Sequence, residues 1–166
     1  TVDYSTAAVG ITANLGTSSA SGDGSDTLTA IENIIGSTNA DTLIGDGNIN
    51  VFDGGANTDI LSGDAGNDTL NGDAGDDTLN GGLGNDILNG GSNTDTADYS
   101  TAAAGITANL ATSSASGEGT DTLTSIENII GSASADTLTG DTGVNVLDGG
   151  SGNDILDGGS NNDTLF

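Results

Sequence analysis

An aspartate recurs every nine residues through the middle of this chain, at Asp59, Asp68, Asp77 and Asp86, each two places before a leucine. Carboxylates that return to one corner of a repeating structure repel each other unless a cation lies between them. The chemistry open to them is ligation of a hard cation by oxygen. Glycosidase-type acid–base work would need one specific pair of carboxylates, whereas these are spaced as a repeat. The 166 residues include no Lys, Arg or His and carry a formal net charge of −25, so no side chain can neutralise a carboxylate by pairing with it.

The elements that must position these residues are nonapeptides: GGANTDILS from Gly54, then GDAGNDTLN, GDAGDDTLN and GGLGNDILN, ending at Asn89. Nine residues are too few for a helical hairpin repeat and match half a coil of a β-solenoid. Glycine tolerates positive φ, so the first six residues are expected to turn. The last three read as a short strand whose central side chain points inward. Frames in this register begin at Gly36, Gly45, Gly54, Gly63, Gly72, Gly81 and Gly90, and again at Gly131, Gly140, Gly149 and Gly158, covering 99 residues.

The pattern GGxGxDxUx, with U a large apolar residue, resembles the RTX (repeats in toxin), or hemolysin-type, calcium-binding repeat. The resemblance implies an all-β fold, a parallel β-roll. With two nonapeptides to a coil, one edge carries Asp41, Asp59, Asp77 and Asp95 and the other Asn50, Asp68 and Asp86; in the second block Asp136 pairs with Asp154 and Asn145 with Asp163. Coils about 4.8 Å apart bring such carboxylates close enough to share an ion. The resemblance implies several Ca2+ ions, held by these side chains with turn carbonyls around Gly54, Gly63, Gly66, Gly72, Gly75, Gly81, Gly84, Gly149 and Gly152. Counting like-edge pairs gives roughly five or six sites. Magnesium prefers a stricter octahedron and its own waters, and zinc would want the His or Cys that this chain lacks.

Departures from the pattern carry expectations. Asn50 and Asn145 bring an oxygen without a charge, so ions there should be held more weakly. Asn39, Asn48, Asn57, Asn93 and Asn161 replace the fourth-position glycine, a place where Asn tolerates the left-handed region. Ser37, Asp46, Asp64, Asp73, Ser132 and Asp141 replace the second. Asp23, Asp26, Glu32, Glu118, Asp121 and Glu127 read as solvated turn residues.

A longer period overlies the short one. DYSTAAVGITANL from Asp3 returns as DYSTAAAGITANL from Asp98, an offset of 95 residues that also carries IENIIGS at Ile31 onto Ile126. The organisation expected is an upstream nonapeptide end plus spacer over 1–35, a roll block over 36–98, a second spacer over 99–130 and a second block over 131–166. The spacers read as β packed in the same solenoid: Ile106, Ala108 and Leu110 alternate with Thr107 and Asn109. TAAAG could form one turn of helix. SGEGTDTLTSIENII resembles a shortened nonapeptide with Asp121 before Thr122 and Leu123. Strand-phase residues at Thr1 and Phe166 lead us to expect continuation in a longer array, or caps from identical subunits stacked end to end.

Acidity on this scale disfavours nucleic acid and anionic membrane surfaces as partners. No apolar run approaches the roughly 18 residues of a spanning helix, and Thr1 opens no signal-peptide pattern. Without Cys there are no disulfides, which leaves a metal as the staple. Without His, Cys or Lys there is no catalytic triad or zinc-protease motif, so no enzyme activity is expected. An EF-hand fails because Val51 stands where its glycine belongs and Asn57 where its glutamate belongs. The expected function is a calcium-stiffened stalk, filament, adhesin, matrix or surface-layer element of a secreted or cell-surface bacterial protein exported by type I secretion. The alternative is the secretion and folding module of a secreted enzyme or toxin. An ice-binding solenoid is a lesser reading, resting on the short run Asn71, Asn80 and Asn89.

Overall fold

The computed structural model describes residues 1–166, and the chain folds as a flattened roll of two 10-stranded sheets. Alternation of side chains forces the arrangement: in each nonapeptide the eighth residue points inward and the seventh outward. Leu43, Leu61, Leu70, Leu79 and Leu88 are buried, whereas Ile60 and Ile87, equally apolar, stand exposed because they occupy the outward place. The buried side chains join in one core that runs through both blocks and both spacers.

Along the first block the chain alternates between sheets with each frame. Strands β5 (Asn33–Ile35), β7 (Val51–Ala56), β9 (Thr69–Ala74) and β11 (Ile87–Ser92) lie side by side in one sheet. In the other lie β6 (Thr42–Asp46), β8 (Ile60–Asp64), β10 (Thr78–Asn80) and β12 (Thr96–Asp98). All these pairs are parallel, and the register places Leu43 against Leu61, Leu61 against Leu79, and Phe52 against Leu70, a step of 18 residues. In the second block β17 (Thr137–Thr139) pairs with β19 (Ile155–Asp157), and β18 (Val146–Asp148) with β20 (Thr164–Leu165), again in parallel. The all-β parallel roll expected from the repeat is the observed fold. Strands β7, β9 and β11 nevertheless run on through the first three residues of the next frame, so the turn is tighter than six residues.

The spacers depart from a plain solenoid. The first, preceded by β1 (Val2–Asp3), contributes β2 (Thr12–Asn14), β3 (Ser19–Gly22), β4 (Gly24–Thr27) and β5, and the second β13 (Thr107–Asn109), β14 (Ser114–Ser116), β15 (Thr120–Thr124) and β16 (Asn128–Ile130). Strands β2, β3 and β4 form an antiparallel meander, as do β13, β14 and β15. The helical turn anticipated in TAAAG is absent; the one helical turn is a 3-10 turn at Leu110–Thr112, capped by the Asn109 side chain. Seven frames, an odd number, separate the spacers. The strand that precedes the first spacer, β1, and the one that precedes the second, β12, therefore lie in opposite sheets, and so do the two meanders. No helix is long and apolar enough to cross a membrane.

Asn71, Asn80 and Asn89 do not form a single ladder. Asn71 and Asn89 share one sheet, where the Asn71 amide donates to Asp53 Oδ1 at 2.7 Å, while Asn80 lies in the other and bonds to Thr101.

Candidate metal centre

At each corner of the roll the backbone amide of the sixth residue donates to Oδ1 of the aspartate one coil further on. On the first edge Asp41 bonds so to Asp59 at 2.7 Å, Asp59 to Asp77 at 2.8 Å and Asp77 to Asp95 at 2.8 Å. On the second Asn50 bonds to Asp68 at 2.7 Å and Asp68 to Asp86 at 2.8 Å. The second block repeats the step from Asp136 to Asp154 and from Asn145 to Asp163, both at 2.9 Å. These amides sit at the entrance to each strand, where no neighbouring carbonyl is in register for them, and a carboxylate oxygen replaces it.

The other oxygen is what a ligand site requires. Oδ2 of Asp59, Asp68, Asp77, Asp86 and Asp95 is buried with no hydrogen-bond partner. A partnerless buried carboxylate oxygen is costly, more so without any basic side chain in the chain. Each lies against the glycine that opens its own frame: a Cβ on Gly54 would fall 2.6 Å from Asp59 Oδ2, and one on Gly149 2.7 Å from Asp154 Oδ2. Gly63, Gly72 and Gly81 are held in the same way under Asp68, Asp77 and Asp86. Gly66, Gly75, Gly84 and Gly152 form the turn instead, with φ of +143°, +159°, +146° and +147°, against the carbonyls of Asn48, Asn57, Gly66 and Ser134 of the preceding coil.

No three carboxylates converge on one point. A cation here would be held by paired carboxylates with turn carbonyls, a hard all-oxygen set that fits calcium. Burial pushes the Asp59 carboxyl up to about 7, helped by the charges of Asp77 and Asp41 and opposed by the Asp41 amide. Burial likewise raises Asp86 and Asp95 to about 6, and it raises Asp68 and Asp77. Every one of these groups would be relieved by a positive charge.

The family model for the RTX calcium-binding nonapeptide repeat (4 copies) matches residues 35–70, 62–97 and 130–165. The chain belongs to this family. It is a calcium-binding repeat protein, and the match is to no catalytic family. No curated protein matches it.

The RTX frames are not all alike. In the first frame of each block the second-position serine satisfies the aspartate: the Ser37 amide donates to Asp41 Oδ2 at 2.5 Å and its hydroxyl to Oδ1 at 3.0 Å, and Ser132 does the same for Asp136 at 2.7 and 2.9 Å. In the second frames the amides of Asp46 and Asp141 donate to Asn50 and Asn145 Oδ1 at 3.0 and 2.8 Å. The partnerless oxygens begin only in the third frame of the first block. Among second-position replacements, Asp64 and Asp73 adopt φ of 73° and 70° where glycine would be unstrained. Of the fourth-position asparagines, Asn57, Asn93 and Asn161 are left-handed, while Asn39 and Asn48 are not.

Two spacer acids expected in solvent belong to the ladders. Asp121 is only 2% exposed, and its Oδ1 accepts the Asp86 amide at 3.1 Å. Glu127 Oε2 accepts the Asp95 amide at 2.8 Å. Their separations of 35 and 32 residues from the groups they serve break the 18-residue step, which hides them from a periodic reading. A signal for Asp121 did exist, since Ser116–Thr124 follows the frame at every motif position but the first. At the far ends of the ladders the amides of Ile11 and Ile106 donate to Oδ1 of Asp41 and Asp136, each at 2.6 Å.

Proposed function

We propose that this chain is a calcium-dependent structural segment, a stiff stalk or filament element of a secreted or cell-surface protein. The observation that carries the reading is the set of five buried, partnerless carboxylate oxygens in a chain of net charge −25. Bound calcium supplies the positive charge that the chain lacks and accepts about 6 to 8 oxygens from neighbouring coils. In this reading the ligands are Asp41, Asp59, Asp77 and Asp95 on one edge and Asp68 and Asp86 on the other, with Asp136, Asp154 and Asp163 in the second block. Asn50 and Asn145 contribute weaker positions.

The 95-residue duplication supports a rod over an appended folding module, which has no evident need of a copied spacer. So does the placement of the two meanders in opposite sheets. Each meander adds three strands to one sheet, and successive meanders add them to alternate sheets, so an extended array is built out equally on both sides. Strands β19 and β20 at one end, and β1 and β4 at the other, present backbone edges to which a further coil can add.

Electron microscopy of the full-length protein with and without calcium tests the reading. Extended rods or filaments in calcium that lose order in chelator are expected. Compact particles in calcium, with the roll attached to a catalytic domain, would favour the secretion and folding module of an enzyme or toxin.

A further inference from the structure

Three asparagines stand directly before a glycine, at Asn71–Gly72, Asn80–Gly81 and Asn89–Gly90, and a leucine precedes each of them. Such an asparagine is open to attack by its own main chain. With no side chain on the glycine, the glycine nitrogen can approach the asparagine Cγ. The new C–N bond closes a succinimide ring, the Cγ–Nδ2 bond breaks, and ammonia leaves with the proton of the glycine amide. Water then opens the ring at either of its carbonyls. The products are aspartate and isoaspartate, the second with its main chain routed through the side-chain carbon.

The Leu-Asn-Gly triplet does not tell the three sites apart, but the fold does. Gly72 and Gly90 lie inside β9 and β11, opposite each other between the pairs Asn71–Asn89 and Asp73–Gly91. A nitrogen set in a strand cannot turn toward the preceding side chain until the strand opens locally. Gly81 is placed differently. Strand β10 ends at Asn80, and its pairing with β12 stops one residue earlier, at Leu79 opposite Ala97. Gly36, Gly131, Gly140 and Gly149, which also head frames outside the strands, donate to the carbonyl that ends the next frame, at 2.7, 2.7, 2.7 and 3.2 Å. The Gly81 amide makes no backbone hydrogen bond.

The side chains differ as well. Asn80 reaches toward the second spacer, where its amide donates to the Thr101 hydroxyl at 3.1 Å beside a groove open to solvent. Water for opening the ring is therefore at hand. A hydroxyl both donates and accepts, so Thr101 can keep its bond when the Asn80 amide becomes a carboxylate. Asn71 instead donates to Asp53 Oδ1 at 2.7 Å. A carboxylate in its place would face another carboxylate with no donor between them.

We propose that Asn80 is a site of self-modification in the folded roll, forming and opening its succinimide while Asn71 and Asn89 stay intact. The isoaspartate product lengthens the main chain just ahead of Gly81, which lies directly under Asp86 Oδ2. Each event thus shifts the turn beneath that carboxylate and leaves an isoaspartyl residue that a carboxyl methyltransferase of that specificity can recognise.

The test incubates the 166-residue chain in mildly alkaline buffer with calcium, beside a sample in guanidinium chloride. Electron-transfer fragmentation in the mass spectrometer locates the modified residue, and isoaspartyl methyltransferase labelling reports the rearranged product. In the folded chain Asn80 should react about tenfold or more faster than Asn71 and Asn89, which must await local opening. In guanidinium chloride the three should react alike. Asn80→Gln, whose longer side chain closes a ring far more slowly, should abolish the fast reaction, and Asn71→Gln should leave it, with circular dichroism showing that both variants fold. Asn80→Asp should melt with the parent and Asn71→Asp below it. Equal rates at the three sites in the folded chain would overturn the proposal. So would the same preference for Asn80 in guanidinium chloride, which would trace it to flanking residues.

Discussion

The amide of Asp59 donates to Asp77 Oδ1 at 2.8 Å, one full coil away, while Asp77 Oδ2 stays buried with no partner. One carboxylate thus closes a backbone gap with one oxygen and, in the proposed reading, offers the other to a cation. Substitutions can divide them. Asp77→Asn should keep the amide bond and lose calcium affinity. Asp77→Ala should lose both, leaving the Asp59 amide unsatisfied at about 1–3 kcal/mol. Asn50→Ala, which removes no charge, should cost less calcium affinity than either. Calorimetry with calcium and melts in saturating calcium separate the two; equal affinity losses at Asp77 and Asn50 would count against the edge assignment.

Removal of calcium should unfold the roll at neutral and alkaline pH. Partnerless carboxylates line both edges and no basic side chain offsets them, so without a cation repulsion opposes every coil-to-coil step. Circular dichroism in chelator should show coil, and millimolar calcium should restore the β spectrum. A β spectrum that persists in chelator at pH 8 would refute this.

Acid should partly replace calcium. Asp59 is pushed up to about 7 and Asp86 and Asp95 to about 6, chiefly by burial, so the folded chain holds protons that the unfolded chain has already released. Stability then falls as pH rises through the window from the ordinary carboxylate range to about 7. Chelated protein should be more structured at pH 5 than at pH 8, the reverse of the usual loss of carboxylate interactions on acidification. Melts in chelator across that range check the sign, and a stability that rises with pH would contradict it.

Glycines at the head of a frame should be intolerant where a carboxylate lies on them. A Cβ on Gly54 would lie 2.6 Å from Asp59 Oδ2 and 3.0 Å from the Gly72 carbonyl, whereas one on Gly47 meets nothing within 4 Å. Gly54→Ala should cost about 1–3 kcal/mol through overpacking, and Gly47→Ala close to nothing. Calcium-saturated melts of the two variants are the measurement.

The sequence alone determined the roll. A nine-residue period with aspartate sixth and leucine eighth admits one phase of turn and strand, and two such halves per coil place Asp41, Asp59, Asp77 and Asp95 on one edge. The family followed from the same residues. Only the tertiary structure decided how the ladders end. Asp121 and Glu127 reach Asp86 and Asp95 across 35 and 32 residues, because the chain between folds back as an antiparallel meander and Tyr99 fills the interior behind Asp121. A repeat announces itself by constant spacing, and a spacer that rejoins the roll by side-chain packing has none. The same holds for the carboxylate oxygens. Asp41 and Asp59 are indistinguishable by position in their frames, yet a serine amide and hydroxyl satisfy the first and nothing in the chain satisfies the second oxygen of the other.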